Sequence, residues 1–357
     1  MSEGFVDWGV ARRVAAAVAG SGDDLDAGFD SRAIAPACAD AARSVRAYTG
    51  LAAETELPAG EAVGRTEWTA MALDSLRELA APLDRRAADA IDFPSALAPL
   101  ARRVAGAAGG AEAGGAIGLA GRRVLAQLDV PLAGPGRPPR LLFIGPNLAA
   151  AHRELGGDRD AFLAWIATHE MTHAVQFAGV PWLRDHLAGE LRALLEAAAG
   201  GIEPRRVAAA IGSVITTDPR HAVRRLLQGE AVIALAGPEQ RARLERIQAT
   251  MTLVEGYAEH VMDAADPDRL SERAVLRARL ARRREGRGGL GEAIARMLGL
   301  ELKLRQYRLG KSFCDRVVAE RGIAVLNRAW SEPHAMPAPA ELERPERWLE
   351  RVVPAAA

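Results

Sequence analysis

The sequence predicts a mainly α-helical protein with at most a small β element. Aromatic residues make up only 4% of the 357 residues, and the apolar share is carried largely by Ala, Leu and Val, a mixture that favours closely packed helices over β-sandwiches. Apolar residues recur at helical spacing in segments that Gly, Pro and Asp separate. The best strand candidate is the apolar run at residues 140–145, which follows a segment too rich in Pro and Gly to be helical.

Residues 1–130 are predicted to form an N-terminal helical region. Its alanine-rich helical segments are residues 12–19, 33–48, 67–79 and 95–108. The stretch at residues 104–121 consists largely of Ala and Gly and contains Glu112, so it is too weakly apolar to span a membrane. We interpret this stretch as a flexible turn that leads into a helix at about residues 117–128.

Residues 131–357 are predicted to form a second region that packs with the first as one unit. The sequence Asp158-Arg159-Asp160 offers N-cap candidates for a helix that ends near Phe177. A second long helix is predicted from Pro238 to about Asp263, because Pro is favoured at the first helical position. The remaining predicted elements are a helix at residues 292–320 and a tail punctuated by Pro at residues 333–345.

The charge of the chain excludes two classes of partner. Lys and Arg number 46, as do Asp and Glu, so there is no electrostatic basis for binding a nucleic acid or an anionic membrane. The Arg-rich run at residues 273–284 is therefore predicted to be the solvated face of a helix.

Cys38 and Cys314 belong to no CxxC pair and are expected to be reduced structural thiols. The N-terminus shows no basic segment followed by an apolar one, so we expect a cytoplasmic protein.

The motif that carries chemistry is His169-Glu170-Met171-Thr172-His173, an HExxH sequence. Two His four residues apart lie one turn from each other on nearly the same helix face, so both imidazoles can bind one Zn²⁺. Glu170 then lies beside the metal-bound water, where it can act as a general base. A chain with 7 His in 357 residues contains this pattern by chance only about 0.02 times. Neighbours at helical spacing predict that the motif face is buried: Phe162, Trp165, Ile166, Thr172, Gln176 and Phe177.

A catalytic zinc needs three protein ligands, so one more must come from another element. The metzincin continuation is excluded, because Gln176 and Gly179 stand where Gly and His would be required. The sequence Glu255-Gly-Tyr-Ala-Glu259 resembles the gluzincin pattern ExxA[D/E], in which a Glu binds zinc and an acid one turn later orients a ligand His. The resemblance implies that Glu255 is the third ligand and that Glu259 supports it. Glu instead of the commoner Asp at position 259 leaves the reverse assignment open.

The resemblance extends over nearly the whole chain. It is carried by Tyr48-Thr-Gly-Leu51, Arg65-Thr-Glu-Trp68, Leu142-Phe-Ile-Gly-Pro-Asn147, the nine residues from His169 to Phe177, Val180-Pro-Trp-Leu183, Glu255-Gly256 with Met262-Asp263, and Lys303-Leu-Arg-Gln-Tyr307. These phrases are similar to a family of bacterial, mainly actinobacterial, zincin-like candidate hydrolases. Its members are described as zinc-dependent metalloproteases or as proteins associated with deazaflavin coenzyme biosynthesis. The resemblance implies a largely helical zincin-like fold with bound zinc, and it implies no particular substrate.

Together these patterns predict a zinc metallohydrolase, in the first place a peptidase, that acts on a peptide or a small amide. Zn²⁺ held by His169, His173 and Glu255 would activate a water and polarise a carbonyl, while Glu170 moves a proton to the leaving amine. The strand at residues 141–144 is expected either to align an extended substrate as a sheet edge or to lie in the core. The alternative function is a non-catalytic, zinc-containing helical scaffold that binds a partner. The oligomeric state is left open.

The sequence offers few groups to stabilise an oxyanion beside the metal. Tyr257 lies about 200° round the helix from Glu255, so it is expected to face away from the metal and to pack in the core. His260, about 140° from Glu255, is likewise expected to pack or cap. Tyr307 continues an apolar stripe with Leu304, which favours core packing, and an oxyanion role for it is the minority hypothesis.

Overall fold

Helices dominate the computed structural model, and the predicted mainly α class is confirmed. The structure describes residues 6–20, 29–90, 98–132, 137–200, 238–265 and 303–353. The long helices are α1 (Trp8–Ala19), α2 (Ser31–Thr49), α3 (Arg65–Ala90), α4 (Ala98–Gly121), α5 (Gly145–Leu155), α6 (Arg159–Gly179), α7 (Pro181–Gly200), α8 (Pro238–Ala264) and α9 (Lys303–Arg321). Short helical segments follow at Ile323–Leu326, Asn327–Trp330, Pro333–Ala335, Pro339–Glu343 and Pro345–Val352. The Arg-rich run at residues 273–284 and the first part of the helix predicted at residues 292–320 lie outside the described residues.

Three short strands form one sheet in the order β1, β3, β2. They are β1 (Gly60–Val63), β2 (Ala126–Asp129) and β3 (Arg140–Ile144), so the strand candidate is confirmed. The central strand β3 pairs in parallel with β1 and antiparallel with β2. Of the two expectations for residues 141–144, the core position is confirmed and the sheet edge is wrong, because β3 is flanked on both sides and these four side chains are buried. The two outer strands, β1 and β2, were not predicted.

The prediction of a flexible turn and a helix within residues 104–128 is wrong, because α4 is continuous and β2 follows it. Helix α1 packs directly against α4, where Gly110 and Gly114 lie one turn apart. A Cβ atom at either glycine would collide with backbone atoms of Asp7 or Ala11. Close packing of the two helices therefore offsets the low helix propensity of these glycines. A segment considered by itself cannot reveal that contact.

The helix that contains the HExxH sequence begins where the sequence predicts. Asp158 is the N-cap of α6, and its Oδ1 accepts a hydrogen bond from the N–H of Ala161 at 2.6 Å. The helix ends at Gly179, and Val180 and Pro181 lead directly into α7. The predicted helix at residues 238–263 is also confirmed, since α8 begins at Pro238.

Two hydrophobic clusters hold the helices that carry the predicted site residues. The first packs α2, β3 and α6 together and includes Phe143 and Phe162. The second joins the end of α2 to α7, α8, α9 and the C-terminal segments, and its large side chains include Tyr257, Phe313 and Trp348. Each cluster contains residues from both sides of position 130. The boundary between two regions at that position stays a prediction.

Two further properties concern membrane-spanning helices and the two cysteines. No helix in the described part of the chain combines the length and apolar character needed to cross a membrane. Cys38 and Cys314 are both free and buried. Burial raises the pKa of Cys38 to about 12, so this thiol stays protonated at neutral pH, as expected of a structural cysteine. The cytoplasmic location stays a prediction.

Candidate metal centre

Helix α6 presents the HExxH sequence on a buried face, as its pattern predicts. The side chains that bury this face are Phe162, Trp165, Ile166, Thr172 and Gln176. His173 and Glu170 are each only 8% exposed, whereas Phe177 and His169 are partly buried. A buried imidazole or carboxylate needs polar partners, because water does not reach it. The question is therefore where the polar atoms of these side chains point.

Three side chains from two helices converge at this face. The Nε2 atoms of His169 and His173 are 3.1 Å apart. Glu255, on α8, brings its Oε2 to 3.5 Å from Nε2 of His169 and to 3.7 Å from Nε2 of His173. One nitrogen or oxygen from each of the three residues lies within 4.8 Å of the others. Two imidazoles and one carboxylate are a donor set typical of zinc.

The other ring nitrogen of each histidine contacts a residue that the sequence did not single out for this role. Nδ1 of His173 is 3.1 Å from Oε1 of Gln176, and Nδ1 of His169 is 3.0 Å from the sulfur of Met262. Both contacts leave Nε2 of the ring facing the cluster. Gln176 is one turn after His173, and Met262 is two turns after Glu255 on α8. Helical spacing could have suggested both residues, but only the packing of α6 against α8 brings Met262 to His169.

The charges of the cluster are strongly coupled. Burial opposes ionisation of Glu255, but the two imidazoles outweigh it and hold the pKa of that carboxyl well below its usual value. Burial also opposes a charge on His173, yet Glu255 and Glu170 outweigh it and raise the pKa of this imidazole to about 9. His173 therefore favours its protonated form beside the ionised carboxylate of Glu255. A cation bound between the same atoms would replace that proton.

Glu170 differs from Glu255 in its surroundings. Burial raises the pKa of Glu170, and the nearby charge of Glu255 adds to the rise, while both motif histidines oppose it. Its Oε2 accepts a hydrogen bond from the backbone N–H of Leu128 in β2 at 3.1 Å. This bond fixes the carboxylate between α6 and the sheet. A buried acid with a raised pKa is suited to taking up and releasing a proton.

Glu259 lies one turn after Glu255 on α8 and is half-buried. It is not part of the three-residue cluster. The contacts to the second ring nitrogens come from Gln176 and Met262 instead. A supporting role for Glu259 stays a prediction.

The remaining candidates are placed as follows. Tyr257 is fully buried, its ring packs edge to face on Trp330, and its hydroxyl donates to Asn327 at 2.8 Å. The expectation that Tyr257 packs in the core is therefore confirmed. His260 packs as expected and has hydrogen-bond partners of its own. The side chain of Tyr307 lies outside the described residues.

Helix α8 is held at a fixed distance from its neighbour by two glycines. A Cβ on Gly256 would collide with the backbone of Gly310 in α9, and a Cβ on Gly310 would collide with the backbone of Thr252. The two helices therefore cross at backbone contact, one residue after Glu255. Such close packing leaves little freedom in the position of the α8 backbone that carries Glu255.

A helix with an HExxH sequence and a second helix that brings a carboxylate to its histidines define a zincin-like protein. The chain belongs to the zincin-like metallopeptidase family, whose model matches residues 6–349. Among solved structures it is similar to the crystal structure of a candidate hydrolase with a novel fold from Chloroflexus aurantiacus. The sequences are 28% identical, the alignment covers 98% of this chain and 100% of that one, and the TM-score is 0.70. A search of curated proteins finds no match.

Proposed function

We propose that this protein is a zinc-dependent metallohydrolase and that it cleaves peptides. The observation that carries the proposal is the convergence of His169, His173 and Glu255 within 4.8 Å, with Glu170 on the same helix face. Membership of the zincin-like metallopeptidase family supports the same function.

The donor atoms fit zinc in chemistry and in spacing. Zinc bonds of about 2.0–2.1 Å in a tetrahedral arrangement place neighbouring ligand atoms roughly 3.3–3.4 Å apart. The three distances of 3.1, 3.5 and 3.7 Å lie around this value. We therefore propose Glu255, and not Glu259, as the third ligand. In the described part of the chain three ligand groups converge, and a site with three protein ligands keeps a position for substrate, which favours an enzyme over a scaffold.

Glu170 is proposed to carry the proton. Zinc, when bound, supplies a Lewis acid that polarises a carbonyl and makes water more acidic. The hydrogen bond from Leu128 holds one carboxylate oxygen of Glu170 in place. Its raised pKa brings proton uptake and release closer to neutral pH. Glu170 would take the proton of the attacking water and deliver it to the leaving amine.

The outer edge of β2 is proposed to align the substrate. The N–H of Ile144 donates to the carbonyl of Leu125 at 2.9 Å, and the antiparallel ladder alternates from this pair. Ala126 and Leu128 therefore direct their backbone groups away from β3. The N–H of Leu128 reaches Glu170, so this edge lies beside the proposed general base. An extended peptide added to β2 would pass the metal centre.

The test is metal analysis followed by digestion of a peptide library with the wild type and with Glu170→Gln. We expect about one zinc per chain in both proteins, because Glu170 is not a proposed ligand. Cleavage should fall by roughly 100- to 10,000-fold in the variant, the usual contribution of a general base. Glu112→Gln is the matched control: burial also raises the pKa of Glu112, but it lies on α4, and its variant should cleave like the wild type.

Each negative result of this experiment would contradict a different part of the proposed function. A wild-type protein that takes up no zinc after reconstitution would contradict the metal centre. Equal cleavage by Glu170→Gln and the wild type would contradict the role of Glu170. A zinc-loaded protein that cleaves small amides or esters but no peptide would contradict the substrate class alone. A zinc-loaded protein that cleaves none of these would favour the scaffold function.

A further inference from the structure

Gln176 connects one proposed zinc ligand to the helix that supplies another. It is fully buried on α6, one turn after His173. Its Oε1 is 3.1 Å from Nδ1 of His173, and its Nε2 donates to the backbone carbonyl of Val254 at 3.4 Å. Val254 directly precedes Glu255 on α8. The amide thus lies between the two ligand-bearing helices.

The direction of these two hydrogen bonds determines the tautomer of His173. The carbonyl of Val254 can only accept, so the NH₂ group of the Gln176 amide must face it and the amide oxygen must face His173. An amide oxygen also only accepts, so Nδ1 of His173 must carry a hydrogen. In the neutral ring the lone pair is then on Nε2, the atom that faces His169 and Glu255. The backbone of α8 therefore sets the ring of His173 through Gln176.

The amide orients the histidine without adding charge. Zinc-binding histidines usually donate their second N–H to a carboxylate, a carbonyl or a water. Two carboxylates, Glu170 and Glu255, already face His173, and a third buried negative charge would be costly. Gln176 supplies the acceptor of a carboxylate and also a donor for α8.

We propose that Gln176 is a positioning residue of the metal centre, which holds His173 as the Nδ1–H tautomer and ties it to α8 beside Glu255. The proposal rests on the zinc site of the proposed function. It concerns metal affinity and ring geometry, so it can be tested without a known substrate. It predicts that zinc binding depends on a side chain that does not itself touch the metal.

The experiment compares Gln176→Met and Gln176→Glu with the wild type by competition for zinc against a chromogenic chelator. Gln176→Met keeps the volume and loses both hydrogen bonds, and should bind zinc about 10- to 100-fold more weakly. Gln176→Glu loses the donor to Val254 but keeps the acceptor for Nδ1–H, and bound Zn²⁺ offsets its added charge, so it should bind zinc more tightly than Gln176→Met. The Co²⁺-substituted Gln176→Met protein should also show an altered visible absorption spectrum, because the ring of His173 is no longer fixed.

The matched control is Asn327→Leu. Asn327 is another bridging amide, which accepts from the Tyr257 hydroxyl and donates to the carbonyl of Thr49. Its loss should lower stability without changing zinc affinity. Zinc affinity equal to wild type in folded Gln176→Met would overturn the proposal, as would a Gln176→Glu variant as weak as Gln176→Met.

A measurement on the wild type covers the case in which Gln176→Met does not fold. Long-range ¹⁵N–¹H NMR of the zinc-loaded protein should show His173 protonated at Nδ1 and bound through Nε2. Binding through Nδ1 would overturn the proposal. A wild type without zinc affinity would instead contradict the proposed function.

Discussion

Helix α8 contributes to two clusters of histidine and acidic side chains. The clusters differ in whether the histidine nitrogens point toward one another or toward separate protein partners. In the candidate metal centre, Glu255 meets two histidines of α6, and three ligand atoms converge. Five residues further along α8, His260 contacts Asp315 of α9 and Tyr48 of α2. Each ring nitrogen of His260 has a separate protein partner.

The second cluster is a continuous chain of hydrogen bonds and ion pairs. Nδ1 of His260 is 2.7 Å from Oδ1 of Asp315, and Nε2 is 2.7 Å from the hydroxyl of Tyr48. Lys311 continues the chain with ion pairs to Asp315 at 2.5 Å and to Asp263 at 3.2 Å. The carboxylate accepts from Nδ1 and the Tyr48 hydroxyl is the hydrogen-bond partner of Nε2, so no lone pair of the ring is left for a metal. Nearby histidines and acids therefore indicate a metal only where their lone pairs converge.

The largest expected effect is on zinc affinity, which should fall when the first cluster is changed and not when the second is. Glu255→Ala removes a proposed ligand and should weaken zinc binding by more than about 100-fold, beyond the 10- to 100-fold loss expected for a supporting residue such as Glu259. His260→Ala should still bind one zinc per chain, because its ring is committed to other partners. Chelator competition on the three variants measures the ranking. If Glu259→Ala proves more damaging than Glu255→Ala, the roles of the two acids are reversed.

A smaller effect, shared by both clusters, is expected at Gly256, which lies between them on α8. Gly256→Ala inserts a Cβ into the backbone of α9, and such overpacking costs about 1–3 kcal/mol of stability. Chemical denaturation measures the loss. The matched control is Gly189→Ala in α7, where nothing lies within 4 Å of the new Cβ, and alanine should stabilise that helix by about 0.5–1 kcal/mol. Equal effects at both glycines would contradict the close crossing of α8 and α9.

Much of the motif helix could be predicted from sequence, because its signals are local. The N-cap at Asp158, the buried face and the HExxH spacing all lie within one helix, where geometry is fixed by the 3.6-residue repeat. The strand at residues 140–144 was found for the same reason, as an apolar run after a segment that cannot be helical. These features need no knowledge of the rest of the chain.

The errors and omissions all involve contacts between distant segments. The glycines of α4 indicated a flexible turn until α1 was seen to pack on them. The place of β3 in the centre of the sheet depends on its parallel pairing with β1, which is far from it in sequence. Met262 reaches His169 only because α8 packs on α6, so no pattern within one helix could have revealed this contact. Tertiary packing, which propensity does not encode, decided each case.

The smallest expected effect concerns the acid side of the second cluster. Burial opposes ionisation of Asp315, but its hydrogen bonds with His260 and Lys311 outweigh this and hold the pKa of the carboxyl below its usual value. A carboxyl with a lowered pKa in the folded state stabilises the protein above the ordinary aspartate pKa of about 3.9, and this contribution is lost as the pH falls through the lower, folded value. Asp315→Asn should therefore be less stable than the wild type at pH 7, and the difference should shrink below about pH 4.

Denaturant unfolding at a series of pH values measures that difference between Asp315→Asn and the wild type. Glu346→Gln is the control, because Glu346 of the segment Pro345–Val352 and Arg316 of α9 form an exposed ion pair at 3.9 Å that should contribute almost nothing at any pH. The effect of Asp315→Asn should be modest, since the Asp315 side chain is 44% exposed and solvent weakens its interactions. The difference in stability between Asp315→Asn and the wild type could instead be constant from pH 7 to pH 3. That result would mean that packing, and not the charge of Asp315, holds His260 in place.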